Sequence, residues 1–153
     1  MRATIAFVGR MPLIIVLALA VCVLMQTPVV KAKDHPVTRP FKIKGVLTFL
    51  DLTGGPPWAG LDKGVASEFG QYVDVAKYTD GNHGFGVYFT ANGDQIFWED
   101  NGGGVITFTG GTGRFQGVTG EYTLTTPPPV TALGPSGTVT LIYTYTGAGN
   151  ITY

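Results

Sequence analysis

Residues 105–124, VITFTGGTGRFQGVTGEYTL, constrain the fold more than any other stretch of this chain of 153 residues. A β-prone run enters a connection that holds Gly110, Gly111, Gly113 and Gly117, and a second β-prone run leaves it through Gly120. Glycine takes φ > 0 without steric penalty and lets another backbone come close, at an entropic cost on folding. Such a concentration suits a compact turn between two strands. Phe115 is the large apolar side chain of the connection and is expected to plug one end of a core, with Arg114 facing a carboxylate or solvent. The competing reading is a nucleotide loop. A G-x-G-x-x-G pattern counted from Gly111 needs glycine where Gln116 stands, and no G-x-x-x-x-G-K-[ST] is present. A phosphate loop must also open a helix whose N-terminus holds the anion. Here residues 120–126 are β-prone, and Pro127, Pro128 and Pro129 follow. The glycines are therefore read as a structural turn, and no cofactor is expected.

The start of the chain has another character. Arg2 and Arg10 precede an uncharged apolar run over residues 11–25, Pro28 breaks it, and Val30-Lys31-Ala32 offers a small-residue cleavage site. That is the pattern of a secretory signal peptide, expected over residues 1–32. The run is shorter than the ~20 apolar residues of a spanning helix, so the expected product is secreted or periplasmic, without a membrane anchor. Cleavage would remove Cys22, the only cysteine. It would also remove Arg2, Arg10 and Lys31, leaving 7 basic against 10 acidic residues, a net charge of −3. No basic cluster is left for a nucleic acid to engage. Residues 33–40 read as a flexible lead-in, and residues 41–153 as one domain, long enough for its own core.

That domain reads as strands throughout. Over residues 41–50, Phe41, Ile43, Leu47 and Phe49 alternate onto one face, with Lys42, Lys44 and Thr48 on the other. Residues 53–60, TGGPPWAG, read as a loop, with Trp58 covering a barrel end. Residues 65–78 read as one bent strand or two short ones, with Gly70 at the bend. Asn92-Gly93 is a strong signal for a two-residue type I′ hairpin. That turn would pair Phe89 with Ile96, Val87 with Trp98 and Tyr88 with Phe97. Phe85, Val87, Phe89, Ile96 and Trp98 would then share the core face. Residues 120–126 form a further strand, residues 127–135 a loop, and residues 138–146 the last strand, with Val139, Leu141, Tyr143 and Tyr145 on one side. Seven or eight strands with no convincing helix and frequent glycine turns point to a sandwich or a closed barrel.

Chemistry is sparse in the pattern. His35 lies in the lead-in and His83 in a glycine-rich turn, where a solvated side chain is the plain reading. There is no H-x-H, C-x-x-C or H-E-x-x-H spacing, so no metal site is expected. Ser67 and Ser136 are the only serines, and neither sits in G-x-S-x-G. Glu99 and Asp100 could form an acid/base pair but read better as a charged strand end.

GGTGRFQGVTG followed by a strand resembles the Gly-Gly-Thr/Ser-Gly-x-Phe-x-Gly-Ala-x-Gly segment of the allene oxide cyclase and dirigent barrels. Trp98-Glu99-Asp100 and residues 105–109 resemble the strand and turn before that segment in the cyclases. Ala91-Asn92-Gly93-Asp94-Gln95 resembles small secreted bacterial proteins of the allene oxide cyclase barrel-like group. The resemblance spans residues 84–120. It implies an all-β fold, a closed or nearly closed antiparallel eight-stranded β-barrel, often trimeric, with a cavity between its ends. It does not carry the cyclase reaction across, because the first strand lacks the family's glutamate. Three functions remain: a non-catalytic exported barrel binding a small apolar ligand or a partner, a cyclase- or isomerase-like enzyme steering a reactive intermediate in its cavity, and a self-assembling envelope protein. Glu68, Tyr88 and Glu99 are the candidate cavity or ligand-contacting residues.

Overall fold

Phe41, Ile43 and Leu47 alternate with lysines along β1 (Thr38–Leu50), and their face turns inward. The computed structural model describes residues 35–50, 52, 54–134 and 138–153. The leader-like segment lies outside the described residues. β1 begins at Thr38, so residues 38–40, expected in a flexible lead-in, are strand. They are held there by pairing with the end of the chain, Thr38 opposite Thr152 and Pro40 opposite Asn150.

After β1 come β2 (Trp58–Ala66), β3 (Gly70–Tyr78), β4 (His83–Thr90), β5 (Gln95–Asn101) and β6 (Val105–Gly111). A single 3₁₀ turn (Gly113–Phe115) leads to β7 (Thr119–Thr125), β8 (Val130–Leu133) and β9 (Val139–Thr152). β1 to β7 pair in sequence order, all antiparallel; β9 pairs with β7 on one side and with β1 on the other, which closes an eight-stranded barrel. β8 is an additional strand against the first residues of β9. It falls where a loop was expected over residues 127–135, because β7 leaves that part of β9 unpaired. Likewise Trp58, Ala59 and Gly60, expected in a loop, already belong to β2 and pair with β3.

The hairpin between β4 and β5 differs from expectation by one residue. Tyr88 lies opposite Ile96, Val87 opposite Phe97 and Gly86 opposite Trp98. The loop has three residues, Ala91, Asn92 and Gly93. Gly93 N–H donates to Thr90 O at 3.0 Å, and Gly93 takes φ 88°. That is a type I-style turn closed by a left-handed glycine rather than a two-residue I′ turn. The Thr90 hydroxyl donates to Asp94 O at 2.9 Å, and Asn92 Nδ2 donates to Asp94 Oδ2 at 2.8 Å, both favouring the longer loop.

A one-residue slip exchanges the two faces of a strand. Tyr88, Ile96 and Trp98 are buried, whereas Phe85 and Phe89, expected in the core, are exposed and Val87 is half-buried. The reason is space. The interior of an eight-stranded barrel is just wide enough for side chains to fill it. Trp98 fits because it faces Gly86, where a Cβ would stand 2.6 Å from the indole ring. The same inversion runs through β3, where Tyr72, Asp74 and Ala76 point in and Val73 and Val75 point out. Leu61, Val73, Val75, Phe85, Phe89 and Phe97 consequently form an apolar outer surface across β2 to β5.

One end of the barrel is closed. Phe115, fully buried, meets Phe69 at 6.0 Å and Tyr153 at 5.3 Å between ring centres, and Val118 is buried beside it in sequence. Aromatic packing of this kind continues inward through Phe41, Phe108 and Tyr122. At the other end, where β3 turns into β4 and β5 into β6, the barrel is hollow.

Candidate functional site: two carboxyls in an aromatic cavity

The hollow end holds a cavity of about 380 Å³. Gly81 and Asn82 from one turn and Gly103 and Gly104 from another stand at its mouth, and Tyr88, Trp98 and Tyr122 line its deeper part. Its walls are aromatic and aliphatic with a few polar groups, the usual make-up of a small-molecule site.

The polar groups come from two adjacent strands. Asp62 on β2 and Asp74 on β3 are directly opposite each other in the ladder, and both face inward. Side chains so placed have Cβ atoms about 5 Å apart. Asp62 is 4% exposed and Asp74 is 1% exposed. The Asp74 carboxylate accepts from Trp98 Nε1 at 2.9 Å. Asp62 Oδ2 accepts from the Tyr145 hydroxyl, which also meets the Tyr72 hydroxyl. Among the described residues Asp62 Oδ1 has no hydrogen-bond partner. Tyr88 and Tyr122 bond to each other through their hydroxyls. The phenols are thus largely occupied with one another and with Asp62, and mainly their rings are left to line the space.

Burial decides the charge of this pair. It pushes the Asp62 carboxyl up to about 7, against the opposing effect of the Tyr145 hydroxyl and the nearby Lys63 amide. It pushes Asp74 up to about 8; the Trp98 N–H opposes the rise, and the charge of Asp62 adds to it. Burial also raises the phenols of Tyr72 and Tyr145 well above their usual range, with the carboxylate of Asp62 adding to both. At the mouth, burial raises Asp100, opposed by the Gly102 amide that donates to it at 2.9 Å.

A stability profile follows from these values. An unfolded aspartate titrates at about pH 4. Between that pH and the folded values of about 7 and 8, the folded chain holds protons that the unfolded chain has lost. Unfolding then releases protons, so stability falls as pH rises, by about 1.4 kcal/mol per pH unit for each carboxyl still protonated in the fold. The expected outcome is a melting temperature that declines from about pH 5 to about pH 8 and levels off above, with the slope roughly halved by Asp74→Asn. A flat or rising profile over that window would mean that the carboxyls are ionised in the folded state.

Of the three residues expected at the cavity, Tyr88 lines it. Glu68 does not: it sits at the closed end, where Tyr153 Oη donates to it at 2.7 Å and Arg39 lies 3.7 Å away. Glu99 faces solvent, because it alternates with the inward-pointing Trp98. The glycine motif lies at the closed end, away from the cavity. Gly110, Gly113, Gly117 and Gly120 hold positive φ there. A Cβ on Gly111 would crowd Gln95 O at 2.6 Å. Arg114 covers the ring of Phe115 at 4.6 Å, donates to Glu68 O at 3.1 Å, and lies 3.8 Å from the Asp94 carboxylate. His83 is exposed and meets Asp80 at 2.8 Å in its own turn.

Sequence reasoning missed Asp62 and Asp74. Each sits in a strand where an isolated charge reads as a solvent-facing residue. The available signal was parity: Asp74 shares its face with Tyr72 and Ala76, and Val73 and Val75 share the other. No family model, curated protein or solved structure matches the chain.

Proposed function

We propose that the barrel is a receptor for a small, mainly apolar molecule that enters through the hollow end and sets one polar group against Asp62 and Asp74. The observation that carries this reading is the pair of opposed buried carboxyls, one oxygen unpartnered, at the wall of an otherwise aromatic cavity. Burying ionisable groups is costly, and replacing them with well-packed apolar residues is often neutral or stabilising. A barrel serving only as a structural brick would gain from such a replacement, so the carboxyls argue for a ligand.

The experiment uses Trp98, whose indole lies at the cavity wall. Trp58→Phe leaves it the only tryptophan, and Trp58 Nε1 has no hydrogen-bond partner among the described residues. Titration with small aromatic and alicyclic compounds is expected to change Trp98 emission saturably. Leu124→Phe in the same background, which narrows the space from the mouth without adding a second tryptophan, should abolish that response without unfolding the barrel. Emission indifferent to every compound would defeat the proposal.

A second reading, a proton-transferring isomerase or cyclase, is supported by Asp62. A carboxyl held near neutrality can both give and accept a proton at neutral pH, and Asp62 is raised to about 7. The resemblance to the allene oxide cyclase and dirigent barrels points the same way. Incubating a bound carbonyl compound with the protein in D₂O tests it. Deuterium appearing at carbon in the wild type, and not in Asp62→Asn, is the expected sign of catalysis. Its absence leaves binding alone.

A further inference from the structure

We infer that the polar group taken up by the cavity is a cation, the ammonium of an amine carried on an apolar body. The inference rests on the reading of the cavity as a ligand site and adds the charge of the occupant.

The first ground is the sign of the lining. Three carboxyls, Asp62, Asp74 and Asp100, line the cavity, and among the described residues no lysine, arginine or histidine does, His83 standing outside the mouth beside Asp100. The other titratable groups facing the pair are the phenols of Tyr72, Tyr78, Tyr88, Tyr122, Tyr143 and Tyr145, none of which can carry positive charge. The lysines of the surrounding strands, Lys42, Lys44, Lys63 and Lys77, are all exposed on the outer face. A carboxylate or phosphate ligand would meet no countercharge at the depth of Asp62 and Asp74, an arrangement that disfavours such partners.

The second ground is the unfilled acceptor. Asp62 is 4% exposed, and its Oδ1 has no hydrogen-bond partner among the described residues. Two carboxyls this close in a low-dielectric site resist ionising together. An ammonium supplies three donors and no acceptor. It would satisfy Oδ1 and let both carboxyls ionise.

The third ground is the aromatic wall. Tyr88 and Trp98 stack with centres 5.9 Å apart, and Tyr78 lies 6.2 Å from Trp98. Ring faces attract cations, most strongly where water is excluded. Because burial keeps Asp62 and Asp74 protonated around neutrality, a cation must displace those protons, so binding releases them and tightens as pH rises, until the amine itself loses its charge.

The test compares three probes of one shape: 2-phenylethylamine, 2-phenylethanol and 3-phenylpropanoate. Binding is followed by calorimetry in two non-amine buffers of unlike ionisation enthalpy, at pH 6 and pH 8. The expected result is that the amine binds at least about tenfold tighter than the alcohol at pH 8, with net proton release near neutrality. Its advantage should shrink at pH 6, and the carboxylate should not bind. Asp62→Asn and Asp74→Asn should each weaken the amine about tenfold or more and leave the alcohol unchanged. Should either variant fail to fold, the pH dependence and proton count of the wild type decide by themselves. Alcohol and amine binding equally, with no protons released, would overturn the cation and leave the ligand site standing. Preference for the carboxylate would overturn the cation as well. Failure of all three probes would overturn both.

Discussion

Phe115→Ala is expected to lower the stability of the barrel by about 3–5 kcal/mol, the usual cost of deleting a buried phenylalanine. Phe115 is fully buried, packs edge-on against Phe69 and Tyr153, and closes the end opposite the cavity. Nothing nearby can fill the space it would leave, because Phe69 is itself held by Phe41, Tyr72 and Tyr88. Arg114→Ala, in contrast, should cost less than about 1 kcal/mol. Its side chain is exposed, and its contacts with the Glu68 carbonyl and the Asp94 carboxylate are made at the surface. Urea unfolding of the two variants checks the order. An arginine variant as unstable as the phenylalanine variant would mean that the turn is held by its charge and not by its plug.

Gly149→Ala should be as damaging or worse, from the opposite cause. Gly149 faces Tyr122 on β7 and Phe41 on β1, so its strand is fixed on both sides. A methyl there would run into the Glu121 carbonyl and stand 2.5 Å from the Tyr122 Cα. Overpacking typically costs about 1–3 kcal/mol where side chains can shift. Here the obstacle is backbone, so the expectation is above that range, with β7 and β9 parting. Gly81→Ala is the control, since a Cβ there meets nothing within 4 Å. The comparison is read from the yield of folded protein and the unfolding midpoint. A Gly149→Ala protein with an unchanged midpoint would contradict the close approach of the two strands.

The architecture could be read before the structure. Strand grammar, the turn motif, the inward row Phe41-Ile43-Leu47, and the role of Phe115 as a plug all follow from glycine placement and simple alternation. The resemblance implies a cavity, and Tyr88 is among the residues expected there, but the rest of its lining could not be read, because the rule that apolar residues face inward fails in β3 and β4. There the interior takes Tyr72, Asp74, Gly86 and Tyr88, and the surface takes Val73, Val75, Phe85 and Phe89. A narrow barrel selects for shape: a few large rings and the glycines that make room for them. The same inversion hid Asp62 and Asp74. Their opposition depends on the register across the turn at Gly70, and no pattern within either strand reveals it.

Closure of the barrel through β1 and β9 also sets an order of events during synthesis. Thr38 pairs with Thr152 and Phe49 with Leu141, so the first strand waits for a partner made roughly a hundred residues later. Until the last of these emerges from the ribosome, β1 to β7 amount to an open ribbon with two unpaired edges, and such edges recruit other chains. Pairings this distant along the chain form slowly. The barrel therefore stays unclosed while β9 is being made, and the period of danger for aggregation, or of opportunity for a chaperone, lasts until β9 has emerged and paired with β1.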